Sequence, residues 1–89
     1  MTDSEVIEII RRLDSRFSKE GAEAELSSFG EVALYANRDG YMRMAIELMK
    51  CAFEETRSEA DLNYIFTKDS EFGIDHLAST RDEFDFYKG

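Results

Sequence analysis

The chain of 89 residues has no proline, a single cysteine, a single histidine, and 11 lysines and arginines against 20 aspartates and glutamates. Each shortage excludes something. Without proline, no helix is broken by one, and no proline-rich linker divides the sequence. Residues 1–89 therefore read as a single domain. A lone Cys51 excludes an internal disulfide framework and fits a reducing compartment, so a cytoplasmic location is expected. One histidine and one cysteine are too few for a dedicated zinc site. A formal net charge of −9 argues against binding a nucleic-acid backbone, which needs clustered Lys and Arg. The apolar runs are only a few residues long, so no membrane span is expected. No basic segment followed by an apolar one opens the sequence, so no secretory signal is expected either.

What is present is a folding composition, 43% hydrophobic and 12% aromatic. Val6, Ile9, Ile10, Leu13 and Phe17 recur at helical spacing and predict an amphipathic first helix. Thr2 and Glu5 fit a capping box at its start, and Gly21 offers a natural stop. Residues 22–30 are ambiguous between continued helix and a short edge strand. Glu31–Ala36 alternates Val32, Leu34 and Ala36 against Ala33 and Tyr35, which predicts a well-covered strand. Asn37 then caps a second helix, expected from about Arg38 to about Thr56. Its charges form one narrow stripe, Arg43, Glu47, Lys50 and Glu54, whose neighbours are opposite in sign. The remaining surface is apolar or small, and so wide an apolar face needs two layers of cover or another chain. Leu62–Thr67 and Glu83–Lys88 alternate like strands, joined by a long polar connection. The expected fold is α+β: a small three-stranded, mostly antiparallel sheet with two helices packed on it, in the order α–β–α–β–β.

Chemistry-bearing constellations are scarce. His76 follows Asp75 directly, and sequence neighbours rarely face each other, so the pair is not a base with its orienting carboxylate. Cys51 lies among apolar helix positions and lacks the basic neighbours or helix N-terminus that activate a thiol; it reads as a buried structural residue. Asp69, Glu71, Asp75 and His76 carry metal-capable atoms but fail the calcium-loop pattern at Gly73 and Thr80. The junction at Asn37 presents helix amides, a generic anion site, yet Asp39 beside it favours simple capping. Met42, Met44 and Met49 at helical spacing read as core. No metal, cofactor or catalytic residue is expected, and the chain is not expected to be an enzyme. A ligand carrier would need a pocket near Tyr35, Tyr41 and Phe66, with no polar convergence to support it.

Acidity is the strongest remaining signal. Carboxylates cluster at Glu54, Glu55, Glu59 and Asp61, at Asp69, Glu71 and Asp75, and at Asp82, Glu83 and Asp85. Such charge serves solubility, and it also steers a basic partner. The candidate partner-binding residues are Asp69, Glu71, Asp75, Asp82, Glu83 and Asp85.

The segment Gly30–Ala52, GEVALYANRDGYMRMAIELMKCA, resembles a group of small acidic immunity proteins of bacterial polymorphic toxin systems. The carriers are Leu34, Tyr35, Ala36, Asn37, Asp39, Gly40, Ala45, Leu48 and Ala52: a short strand ends in an L-Y-A-N-like motif, and an acidic–glycine pair opens an apolar helix. The resemblance covers about a quarter of the sequence. It implies a non-enzymatic inhibitor that binds a basic cognate toxin, often a nuclease, and blocks its working surface. The alternative is a scaffold module that homodimerises through the apolar second helix, with Met42, Ile46 and Phe53 as contacts.

Overall fold

A computed structural model of the chain describes residues 1–28, 30–62, 74, 76 and 78–88. Its elements are α1 (Asp3–Arg16), β1 (Ala24–Ser28), β2 (Val32–Ala36), α2 (Arg38–Lys50), α3 (Glu54–Arg57) and α4 (Arg81–Lys88). The fold is α+β; among the described residues, β1 and β2 form a two-stranded antiparallel sheet. Among the described residues, no helix is long and apolar enough to cross a membrane.

α1 starts where the sequence predicts. The Thr2 hydroxyl accepts from the Glu5 amide at 3.2 Å, and the Glu5 carboxylate accepts from the Thr2 amide at 3.0 Å. These bonds, the Thr2 amide first, hold the Glu5 carboxyl below its ordinary pKa. The helix stops well before Gly21. Phe17 is already extended, and its carbonyl accepts from the Arg43 guanidinium, which also reaches the Asp14 carbonyl at 3.4 Å. An arginine of α2 thus satisfies the orphan carbonyls of α1, at the negative end of its dipole. Gly21 serves the next turn instead. Ala22 donates to the Lys19 carbonyl at 3.2 Å, and Gly21 takes φ +82° in that turn.

Within the ambiguous segment 22–30, Ala24–Ser28 is a strand. β1 pairs with β2 in the register Ala24↔Ala36, Leu26↔Leu34 and Ser28↔Val32. β2 was expected to be well covered, and here the structure differs. Only Ala36 is buried, against Met44 of α2 and the half-buried Ala24, while Val32, Ala33, Leu34 and Tyr35 are exposed. The hairpin meets α2 at one end and projects from it at the other.

Asn37 caps α2 as expected, accepting from the Gly40 amide at 2.7 Å. It also ties the helix start to β1, accepting from the Glu23 amide at 3.1 Å and donating to the Gly21 carbonyl at 2.9 Å. α2 ends at Lys50, earlier than Thr56. The Thr56 hydroxyl donates to the Lys50 carbonyl at 2.8 Å, and the chain turns into the short α3.

The segment Leu62–Thr67 lies outside the described residues except for Leu62, which is helical and buried. The segment Glu83–Lys88 is not a strand: it belongs to α4. Its start is fixed by Thr80, whose hydroxyl accepts from the Glu83 amide at 3.1 Å. That is an N-cap, and it outweighs the alternation of Phe84 and Phe86.

Candidate protein-binding surface

The charges divide into an inner set and an outer set. The inner set is the stripe on α2, which turns toward α1 rather than toward solvent. Arg43, Glu47 and Lys50 are buried, and Arg43 and Glu47 are among the largest fully buried side chains described. Arg43 bonds Asp14 of α1 and Glu47 one turn away. Lys50 Nζ lies 3.0 Å from Asp14 and 3.1 Å from Glu47. The Asp61 amide donates to Glu47 Oε1 at 2.9 Å. The four charged groups balance, two of each sign. No buried side-chain polar atom among the described residues lacks a hydrogen-bond partner. This arrangement is what a low-dielectric interior demands of ions. The sequence puts Arg43, Glu47 and Lys50 together correctly but gives no sign that they face inward; Glu54, the fourth member of the expected stripe, is exposed at the start of α3, and the fourth charge of the cluster is Asp14.

Burial alone would push the Asp14 carboxyl up, but hydrogen bonds from Arg43 and Lys50 and their positive charge outweigh it and hold it below its ordinary 3.8. For Arg43, burial opposes the charged form, and bonds to Glu47 and Asp14 more than compensate, so its pKa is raised. A carboxyl depressed by folding contributes stability that is present above its unfolded pKa and lost as pH falls through the folded one. Asp14→Asn should therefore lower stability at neutral pH. The gap to the parent should close progressively below about pH 4, as measured by urea unfolding across pH.

Because the charges face in, part of the apolar surface of α2 faces out. Tyr41, Ala45 and Leu48 are exposed, with Ala52 following on the same line. Ile46, expected as a dimer contact, is only 1% exposed, and Met42 and Phe53 are half-buried. Those three residues do not make a face. Met44 is core, as expected, whereas Met49 is half-buried. Cys51 lies at the C-cap of α2 rather than mid-helix, half-buried, its thiol donating to the Glu47 carbonyl at 3.5 Å.

The outer set centres on α4. Every residue from Arg81 to Lys88 is exposed. Asp82, Glu83 and Asp85 share this helix with Phe84, Phe86 and Tyr87, and Phe86 is 81% exposed. Arg81 stands 5.4 Å from the Phe84 ring centre and 3.6 Å from Asp85. The His76 ring stacks on Tyr87 at 4.2 Å, 3° from parallel, which gives this exposed histidine a partner within the surface. Of the other candidate residues, Asp69, Glu71 and Asp75 lie outside the described residues. So does Phe66 of the ligand-carrier pocket, whose other members, Tyr35 and Tyr41, are exposed. Among the described residues, no group of three or more His, Cys, Asp and Glu could hold a metal ion.

The sequence points to the acids of α4, but its alternation predicts a strand face for Phe84 and Phe86, which are helical. The signal that could have corrected this is Thr80-x-x-Glu83, a capping-box spacing. Compared with protein-family models, curated proteins and solved structures, the chain matches none.

Proposed function

We propose that this protein is a non-enzymatic, immunity-like inhibitor that binds a basic cognate toxin and neutralises it by covering its working surface. The observation that carries the reading is α4, a helix with every residue exposed that sets three carboxylates among three aromatics. The two residue classes do different work at an interface. Aromatic side chains that become fully buried on binding supply most of the affinity. Carboxylates around them steer a positively charged partner and raise the association rate. The net charge of −9 acts in the same direction at longer range. A nuclease with a basic substrate groove offers the complementary surface, and the resemblance of Gly30–Ala52 to acidic immunity proteins supports the same class. The reading carries a cytoplasmic site of action, where a free thiol such as Cys51 persists.

Affinity co-purification of the tagged protein at low and moderate salt tests the proposal. A single basic protein in near-equal amount, retained at moderate salt, is the expected result. With that partner in hand, the triple change Asp82→Asn, Glu83→Gln and Asp85→Asn should slow association several-fold at low salt and flatten its salt dependence. An unchanged association rate would remove α4 as the binding face.

A further inference from the structure

The hairpin carries a second surface that the inhibitor reading does not use. The Asn37 amide donates to the Glu23 carbonyl at 3.1 Å, and these two residues continue the β1–β2 register by one step. In an antiparallel ladder, hydrogen-bonded and non-bonded pairs alternate. Glu25↔Tyr35 and Ser27↔Ala33 therefore bond across the hairpin. The backbone groups of Val32, Leu34 and Ala36 point the other way, along the outer edge of β2. Among the described residues, no strand pairs with that edge. Nor does the edge carry the usual protection: Val32–Ala36 contains no proline, no lysine and no other charge. Val32 is 68% exposed and Tyr35 57%.

We infer that the outer edge of β2 pairs antiparallel with the β2 edge of a second copy of this chain, about a two-fold axis at Leu34. Three features select a second copy. First, the register is self-complementary: Leu34 faces its own equivalent, and Val32 faces Ala36 of the other copy. Both are positions whose N–H and C=O groups point outward. Second, the ends match in charge. Glu31 precedes β2 and Arg38 follows it, both exposed, and antiparallel pairing sets the Glu31 end of one copy against the Arg38 end of the other. Third, the strand between them is neutral. A chain of charge −9 meets no like charge along the contact, whereas a basic partner would find no carboxylate there to answer its own. The result is a continuous sheet running through both hairpins, with the exposed side chains of β2 partly covered across the axis.

Sedimentation equilibrium on the full chain, up to about 100 μM, reads the association directly. A dimer is expected, and Val32→Lys should weaken it by roughly tenfold or more, because an edge lysine blocks strand addition. Val32 is exposed on a projecting hairpin, so the variant folds, which circular dichroism checks. In a Cys51→Ser background, Leu34→Cys should form a disulfide-linked dimer on mild oxidation, since cross-axis partners in a bonded pair lie about 5.5 Å apart. Tyr41→Cys on α2 should not. A monomer at every concentration overturns the inference. So does a dimer indifferent to Val32→Lys, or one linked through position 41 and not 34, which would assign the contact to α2. None of these readouts involves α4, so the inhibitor reading and this one fail separately.

Discussion

Glu47→Ala is expected to remove about 3–5 kcal/mol of stability, the cost of breaking a buried ion pair from one side. The truncation takes away the acceptor shared by Arg43, Lys50 and the Asp61 amide. It leaves two cations buried against one half-exposed carboxylate, Asp14. A chain of this length has about 4–13 kcal/mol in total. The variant should therefore unfold at far lower urea concentration than the parent, or be largely unfolded without any. The apolar exchange Arg43→Met with Glu47→Leu and Lys50→Met should cost much less, since it removes the charges together and keeps volume in the core. If Glu47→Ala proved as stable as the parent, Glu47 would have to be solvent-facing and the packing of α1 on α2 would be wrong. The reversed ranking, with the triple exchange worse than the single one, would say that the ions set the packing.

The same quartet marks where sequence reading succeeds and where it fails. The spacing of Arg43, Glu47 and Lys50 shows that these charges share a helix face and pair along it. It does not show which way the face turns, because that depends on Asp14, 29 residues upstream. An amphipathic pattern fixes a helix only relative to its own axis. When a partner carboxylate and two backbone carbonyls wait on the inner side, the charged stripe goes in and Tyr41, Ala45 and Leu48 go out. The end of α1 was illegible for the same reason: its cap is an arginine from another element, not the glycine that follows. Local signals fared better. Thr2 with Glu5, and Asn37, cap the helices that the sequence assigns to them.

The C-terminal acids show the opposite error. Glu83, Phe84, Asp85 and Phe86 alternate with the period of a strand, and six residues are too few to separate that period from a helix. Thr80 settles it by capping. For function the difference matters. On a strand, Glu83 and Asp85 would have faced away from Phe84 and Phe86. On α4 they occupy one exposed helix, where an aromatic anchor and a steering charge reach the same partner.

Gly40→Ala is expected to destabilise by about 2–3 kcal/mol, against what helix propensity alone would say. In an isolated helix the change gains up to about 1 kcal/mol, because alanine has less backbone freedom to lose. Here α2 crosses so close to the start of β1 that a Cβ at position 40 would overlap the Glu23 carbonyl oxygen and come 2.9 Å from its carbon. Both are backbone atoms and cannot swing aside like the end of a side chain. The strand would have to withdraw, pulling on the Asn37-to-Glu23 amide bond and on both amides that Asn37 Oδ1 accepts. Gly21→Ala provides the contrast. Nothing lies within 4 Å of a Cβ there, and its cost is only the strain of a side chain at φ +82°, about 1–2 kcal/mol. Urea unfolding of the two variants should rank Gly40→Ala below Gly21→Ala. A Gly40→Ala protein more stable than the parent would mean that α2 and β1 stand further apart, and that the strand–cap–helix junction does not hold the hairpin against α2.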